Sequence, residues 1–331
     1  MIGDGMGLAQ ITLGRRSLPA GAALALDSFP VTGLVRTDAA GGVITDSAAA
    51  ATAMAAGVKT LNGRIAMSPD GRPVRTILEE AERRGQATGL ITTTAIAHAT
   101  PAAFAAHVID RDDRQGIAAQ LLGGGIDLLI GGGLEDFLPQ DRADKRDLLA
   151  EARSAGYLVA TDESSWRAAN RLPLLALLAP DGLTTRAPEP TLADLVEKAL
   201  GLIADDPDGF FLMVEGGQID WRCHDNDAAG AAEEMLEFDA AIGRVRAFAE
   251  RRGQTLIVVT GDHETGGLSL VTGEAPDSSP FRPAWGTKGH SAVDIPLYAA
   301  GPGSQRFAGF LDNTEIARRI ADLWGLPAPG R

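Results

Sequence analysis

The sequence predicts an α/β fold built on a largely parallel central β-sheet with helices on both faces. Apolar runs of strand length recur at 31–37, 87–93, 126–132, 209–217, 255–263 and 295–301, with helical segments between them. That alternation is what a parallel sheet with crossover helices requires. Forty glycines and a strong alanine bias suit tight turns and close helix packing. Acidic residues also fall at or just beyond the carboxyl ends of several runs, the edge at which open parallel sheets bind ligands.

Taken in order, IGDGMG reads as the end of a strand and the turn after it, but only Met1 and Ile2 precede Gly3 and Asp4. The first strand is therefore expected to be truncated, with Met1 standing where an internal strand residue would be. Helical segments are expected at 46–56, 73–84, 142–155, 191–204, 227–252 and 313–324. Within 227–252, Ala231, Met235, Phe238, Ala241, Ile242 and Val245 recur near helical spacing with charge opposite, which is the pattern of a core-facing amphipathic helix. The GGG runs at 123–125 and 131–133 lack phosphate-loop spacing and are read as helix and strand ends. With no repeat and no low-complexity linker, the chain is expected to be a single domain over 1–331, carrying a Pro-rich excursion at 273–289 near the site.

Composition excludes several functions. A net charge of −14, with arginines scattered beside Asp and Glu, lacks the basic footprint of a nucleic-acid binder, and an aromatic share of 5% lacks a stacking platform. The longest apolar stretch, 172–180, is too short to span a bilayer. Neither a basic n-region nor an h-region opens the chain, so no secretory signal is read in it. Cys223 is the single cysteine, so no intrachain disulfide forms, and packing is its expected role.

Four of the five histidines sit in or beside acidic clusters: His98 in AHATPAAF, His224 in VEGGQIDWRCH, His263 in GDHETGG, and His290 in KGHS. Asp220 and His224 are four apart, which on a helical turn sets an oxygen and an imidazole on one face, as a zinc-type site requires. Asp262 and His263 are adjacent, so one of them needs a loop conformation to converge on the same ion. Asp4, Thr100 and Glu215 form an oxygen-rich set suited to a harder ion such as magnesium. Asp46 and Ser47 open an alanine-rich helix with Thr45 or Asp46 as its cap, which puts the Ser47 hydroxyl among free backbone N–H groups, where a phosphate is favoured. A serine hydroxyl is a weak nucleophile until a base or metal removes its proton, and no histidine adjoins Ser47, so metal activation is the expected route. His107 is placed on a helix after Pro101, away from such clusters, and is read as structural.

Six motifs, IGDGMG, TDSAAAATAMAAG, HATPAAFAAHVIDR, VEGGQIDWRCHDND, VTGDHETGGL and TKGHS, resemble those of the alkaline phosphatase family in the same order, from the first residues to about 300. The resemblance implies a three-layer α/β sandwich and a metal-dependent phosphomonoesterase acting on small phosphate monoesters. It implies that Ser47 attacks phosphorus to give a phosphoseryl intermediate, hydrolysed by a metal-activated hydroxide. It further implies one zinc on Asp220, His224 and His290, a second on Asp4, Asp262 and His263, and a magnesium on Asp4, Thr100 and Glu215. Two-metal clamps of this kind hold ions roughly 4 Å apart. Arg111 would fork onto two phosphate oxygens. His98 stands near the third metal, where some members carry Asp, so the third site could take zinc or cobalt through His98. Trp221 follows Asp220 where others carry Lys or His. Family habit implies export to the periplasm or beyond and allows a homodimer.

Two other readings compete. A phosphodiesterase or phosphonate hydrolase of the same superfamily is opposed by Thr100, Glu215 and Arg111. An inactive metal- or phosphate-binding relative is opposed by the intact Ser47 and the complete ligand set.

Overall fold

The computed structural model describes residues 1–272 and 281–330. Ten strands make a large, mostly parallel central sheet flanked by helices, as the alternation of runs predicts. The chain divides into two compact units.

The first unit comprises 1–38, 42–46 and 216–312. Its sheet strands run in the order Gly309–Asp312, Val31–Arg36, Ile295–Ala300, Ile257–Gly261 and Ile2–Gly3. Ile295–Ala300 is antiparallel to both of its neighbours, while Ile2–Gly3 pairs parallel to Ile257–Gly261 with Gly3 opposite Gly261. The first strand is two residues long, and this register brings Asp4 level with Asp262 where both chains leave the sheet. Helix Ala228–Arg252 runs from Asp227, whose carboxylate accepts from the Gly230 N–H, to Gly253 in the left-handed region, and buries all six residues of the predicted stripe. Capping at both ends and an apolar stripe are what a long surface helix needs.

The second unit comprises 39–41, 47–215 and 313–331. Its strands run Phe210–Gly216, Ala87–Ala95, Leu128–Gly132, Leu174–Leu177 and Leu158–Ala160, all parallel. Ala87–Ala95 is buried at every position, as expected of a strand covered on both faces. Helix Ser47–Ala56 is likewise buried all round. Small side chains make that feasible, because Ala carries little bulk and loses no rotamer freedom. Helices Ile77–Arg83 and Leu192–Ile203 open on reciprocal capping boxes, Thr76 with Glu79 and Thr191 with Asp194.

Several expectations shift in detail. The helix expected from 73 begins at Ile77 behind the Thr76 cap, and that expected from 142 begins at Leu148 behind Asp147. The run at 172–180 contains the strand Leu174–Leu177. The helix after His98 is only Ala99–Ala102, so His107 lies beyond it in irregular chain. The GGG runs fall at the end of helix Arg114–Gly123 and of strand Leu128–Gly132. Of the expected excursion, 273–280 lies outside the described residues. Its flanks, Ser269–Thr272 and Phe281–Ala284, pair antiparallel.

Candidate metal centre

In the first unit, two strand ends and one short helix deliver three acidic side chains to one place. Asp4 follows Ile2–Gly3, held by a 3.1 Å bond from its N–H to the Gly216 carbonyl. Asp262 and His263 occupy the bend after Ile257–Gly261, and Asp220 with His224 lies on helix Gln218–His224. The positive φ of Gly5, +72°, turns the chain tightly there, and its bare Cα sits against Asp220, where a Cβ would stand 2.9 Å from the Asp220 Cα.

Asp4, Asp262 and His263 are completely buried. The Gly5 N–H (3.0 Å) and the His263 N–H (2.8 Å) both donate to Asp262 Oδ1. Asp262 Oδ2 is buried without a hydrogen bond and lies 3.2 Å from His263 Nε2, which is also 3.4 Å from Asp4 Oδ1. Burial pushes the His263 imidazole down, against the pull of Asp262, so the ring is held neutral among carboxylates. Two anions out of water around a neutral ring are costly unless a cation joins them.

A second group lies alongside. His290 Nδ1 donates to the Thr45 carbonyl at 2.8 Å, and His224 Nδ1 donates to the Lys288 carbonyl. A carbonyl only accepts, so each Nδ1 carries a hydrogen, which leaves Nε2 as the ring atom turned towards the carboxylate. Those two Nε2 atoms face each other at 3.3 Å, with Asp220 Oδ2 3.2 Å from His224 Nε2 and Asp220 Oδ1 3.6 Å from His290 Nε2. Ring nitrogens and carboxylate oxygens gathered this closely call for positive charge, a proton or a cation, between them. The bond to Asp220 pushes His224 up to about 9, and burial would raise Asp220, yet His224 and its neighbours hold that carboxyl far below its ordinary value. The His263 and His290 rings stack at 3.5 Å between centroids, joining the two groups.

Ligand atoms of Asp4, Asp262 and His263 lie within 4.8 Å of one another, as do those of Asp220, His263 and His290. The donor set is carboxylate oxygen and imidazole nitrogen, with anchored Nδ1 atoms freeing Nε2 for coordination, which is how metal-binding histidines are oriented. The residues fit one or more divalent cations of the zinc type.

The remaining predicted site residues belong to the second unit. Ser47 is the first residue of Ser47–Ala56 and is 2% exposed. Glu215, at the end of Phe210–Gly216, is fully buried, and its Oε2 accepts from the Thr92 and Thr94 hydroxyls. Thr100 Oγ1 is buried without a hydrogen-bond partner. Arg111 Nη2 lies 3.3 Å from His98 Nε2, so here that ring nitrogen meets a guanidinium. His107 is structural: Nδ1 lies 3.0 Å from the Ala66 carbonyl and Nε2 2.9 Å from Glu79 Oε1.

Sequence reasoning missed the supports. Glu264 accepts from Gln10 (2.8 Å), Ser291 and the N–H groups of Gly267 (3.1 Å) and Leu268 (3.0 Å), tying helix Leu8–Ser17 to the strand pair that carries His290. Thr92 and Thr94 hold Glu215, and Thr265 stands beside Asp220. The period-two alternation after His263 was the one available signal for Thr265.

Fold and ligand arrangement together define a metal-binding α/β hydrolase. A family description of alkaline phosphatase matches residues 1–283, and the chain belongs to the alkaline phosphatase family, the phosphoric monoester hydrolases. Among its relatives, alkaline phosphatase 3 of Bacillus subtilis is 35% identical over 84% of this chain and 76% of its own length. Streptomycin-6-phosphate phosphatase of Streptomyces griseus is 36% identical over 98% and 90%. The structure of alkaline phosphatase from the Antarctic bacterium TAB5 superposes with a TM-score of 0.89 at 36% identity, covering 97% of this chain and 96% of that one. A histidine-to-aspartate mutant of that enzyme has Mg bound in its M3 site. No helix among the described residues is long and apolar enough to cross a membrane.

Proposed function

We propose that the chain works as one catalytic domain that hydrolyses phosphate monoesters through a phosphoseryl intermediate on Ser47. Asp220, His224 and His290 would hold one zinc and Asp4, Asp262 and His263 a second. A third ion, magnesium by preference, would sit with Asp4, Thr100 and Glu215. Bound there, such ions supply Lewis acidity towards the reacting oxygens and lower the pKa of Ser47. The observation that carries the reading is the convergence of His224 and His290 Nε2 on Asp220, beside the buried Asp4, Asp262 and His263.

In this reading Ser47 Oγ gives up its proton and forms the O–P bond while the ester P–O bond breaks and the alcohol leaves with a proton. Water then attacks the same phosphorus, the Ser47 O–P bond breaks, and phosphate departs with retained configuration after two in-line displacements. The start of helix Ser47–Ala56 favours the phosphate anion through its backbone N–H groups and the positive end of its dipole. Arg111 binds two non-bridging oxygens with its planar fork, for which it would leave His98. Glu215 keeps its orientation through Thr92 and Thr94. His98 meets Arg111 through Nε2 alone, so a third site ligated by His98, taking zinc or cobalt, stays beside the magnesium reading. Family habit supports export, and dimerisation is in keeping with it.

The test is elemental analysis beside activity on an aryl phosphate monoester and its diester, before and after chelation. Two zinc ions and a third ion per chain, preference for the monoester, and loss of activity on chelation are expected. Ser47→Ala should keep the metals and lose at least about 10³-fold in kcat, the scale of losing an activated nucleophile. Full activity in the stripped protein, or in Ser47→Ala, refutes the mechanism.

A further inference from the structure

Thr265 lies two residues beyond His263 on the short strand Glu264–Thr265 and is completely buried. Its hydroxyl bonds Asp220 Oδ1 and stands 3.2 Å from His263 Nδ1. A carboxylate only accepts, so the single hydroxyl hydrogen is committed to Asp220. A lone pair is then turned to His263, which makes Nδ1 the protonated nitrogen of that neutral ring. Nε2, the nitrogen without a hydrogen, faces Asp4 Oδ1 and Asp262 Oδ2.

We infer that Thr265 is a positioning residue that couples the two cation groups: one hydroxyl orients Asp220 in the first and fixes the His263 tautomer in the second. The inference rests on the metal-dependent reading above and assigns a role to a side chain that is not itself a ligand. The chain of bonds runs His263 Nδ1–H to Thr265 Oγ1, then Oγ1–H to Asp220 Oδ1. Reversing it is not open, since a carboxylate oxygen accepts and does not donate.

The surroundings hold this hydroxyl in place. Thr265 faces His290 in the antiparallel pair of Glu264–Thr265 with His290–Ser291. Its carbonyl accepts from Gln10 Nε2 at 2.8 Å, and Glu264 beside it is tied to Gln10, Ser291, Gly267 and Leu268. A Cβ on Gly5 would stand 2.9 Å from Thr265 Oγ1, so the hydroxyl is also fenced from that side. A threonine that only filled space would need none of this: valine has nearly its shape and would avoid burying a hydroxyl.

Zinc affinity of the stripped protein, measured by competition with a chromophoric chelator, tests the idea without recourse to activity. Loss of an outer partner of a ligating group costs about 10- to 100-fold in metal affinity. Thr265→Val, which keeps the shape and removes the hydroxyl, should weaken both strong zinc sites by at least about tenfold. Thr265→Ser, which keeps the hydroxyl, should bind within about threefold of wild type. Denaturation of the stripped variants checks the fold, and Thr265→Ala replaces the valine variant should that one fail to fold. Two native zinc affinities in a folded valine or alanine variant overturn the role, as does a serine variant that loses as much as the valine one, because shape would then be what matters. A wild-type protein that binds no zinc instead removes the metal-dependent reading itself, so the two failures are separable.

Discussion

Gly5→Ala tests how tightly the metal groups are packed against the turn that delivers Asp4. Gly5 has φ +72°, and a residue with a Cβ pays about 1–2 kcal/mol to stand in the left-handed region. The added methyl would also stand 2.9 Å from both Asp220 Cα and Thr265 Oγ1, and 3.1 Å from Asp220 Cβ. Two of those three contacts are with one residue's main chain and first carbon, which cannot swing away, so the backbone must shift. Overpacking of that kind costs about 1–3 kcal/mol, giving a total of about 2–5 kcal/mol. Gly21→Ala is the control, because Gly21 has φ +86° with nothing within 4 Å of a Cβ, so only the conformational cost of about 1–2 kcal/mol applies. Urea denaturation of the stripped proteins measures both. Chelator competition then reads zinc affinity, which should fall at least about tenfold in Gly5→Ala, because ligands must be held to within about 0.5 Å, and stay native in Gly21→Ala. Equal stability losses in the two variants, with zinc binding intact in both, would refute the claim that Asp220 and Thr265 are braced against this turn.

Two further outcomes follow from the second unit. Both His107 nitrogens face acceptors, so the ring is doubly protonated, and its bond to Glu79 raises its pKa against burial; burial would raise Glu79, but the bond to His107 leads the effects that lower it. His107 therefore stabilises fully below its ordinary 6.5 and loses this as pH rises through its higher folded value, while Glu79 contributes above its ordinary 4.5 and loses it as pH falls. His107→Gln should cost about 1–3 kcal/mol near pH 5.5 and less at pH 9, and a loss independent of pH in denaturation curves would contradict the ion pair. Arg111→Ala should raise the inhibition constant for inorganic phosphate by at least about tenfold, the scale of a charge-assisted bidentate contact. Unchanged inhibition would remove Arg111 from the phosphate site.

What was legible in the sequence and what was not divides along a physical line. Runs such as ATGLITT and TLIVVTGDH declare buried strands because both faces must be apolar, and the ligand clusters stand at their ends because the strands stop there. Direction is not written in a strand, so nothing in IPLYAAG marks Ile295–Ala300 as antiparallel. LVA at 158–160 is too short to carry a period, and LLAL at 174–177 lies in an apolar run that reads equally as helix or strand. Helix Leu8–Ser17 was hidden by Gly14, a poor helix former whose bare Cα lies against Met235 Cγ, 2.7 Å from where a Cβ would be.

The site divides in the same way. Carboxylates beside histidines are conspicuous, since few other roles gather them so densely. Thr265, Gln10 and Glu264 have ordinary residue types for a strand edge or a helix, and their meaning exists only once Glu264–Thr265 is laid against His290–Ser291. A ligand is specified by its own chemistry, whereas a residue that orients a ligand is specified by the distance between two segments far apart in the chain. The segments that meet here begin at 4, 218, 262 and 290, so no local window contains the arrangement. The cost of misplacing any one of them is shared, because the stacked rings of His263 and His290 and the hydroxyl of Thr265 each belong to both cation groups. A substitution among these supports should therefore weaken metal binding at both groups together, a pattern that independent ligand pockets would not produce.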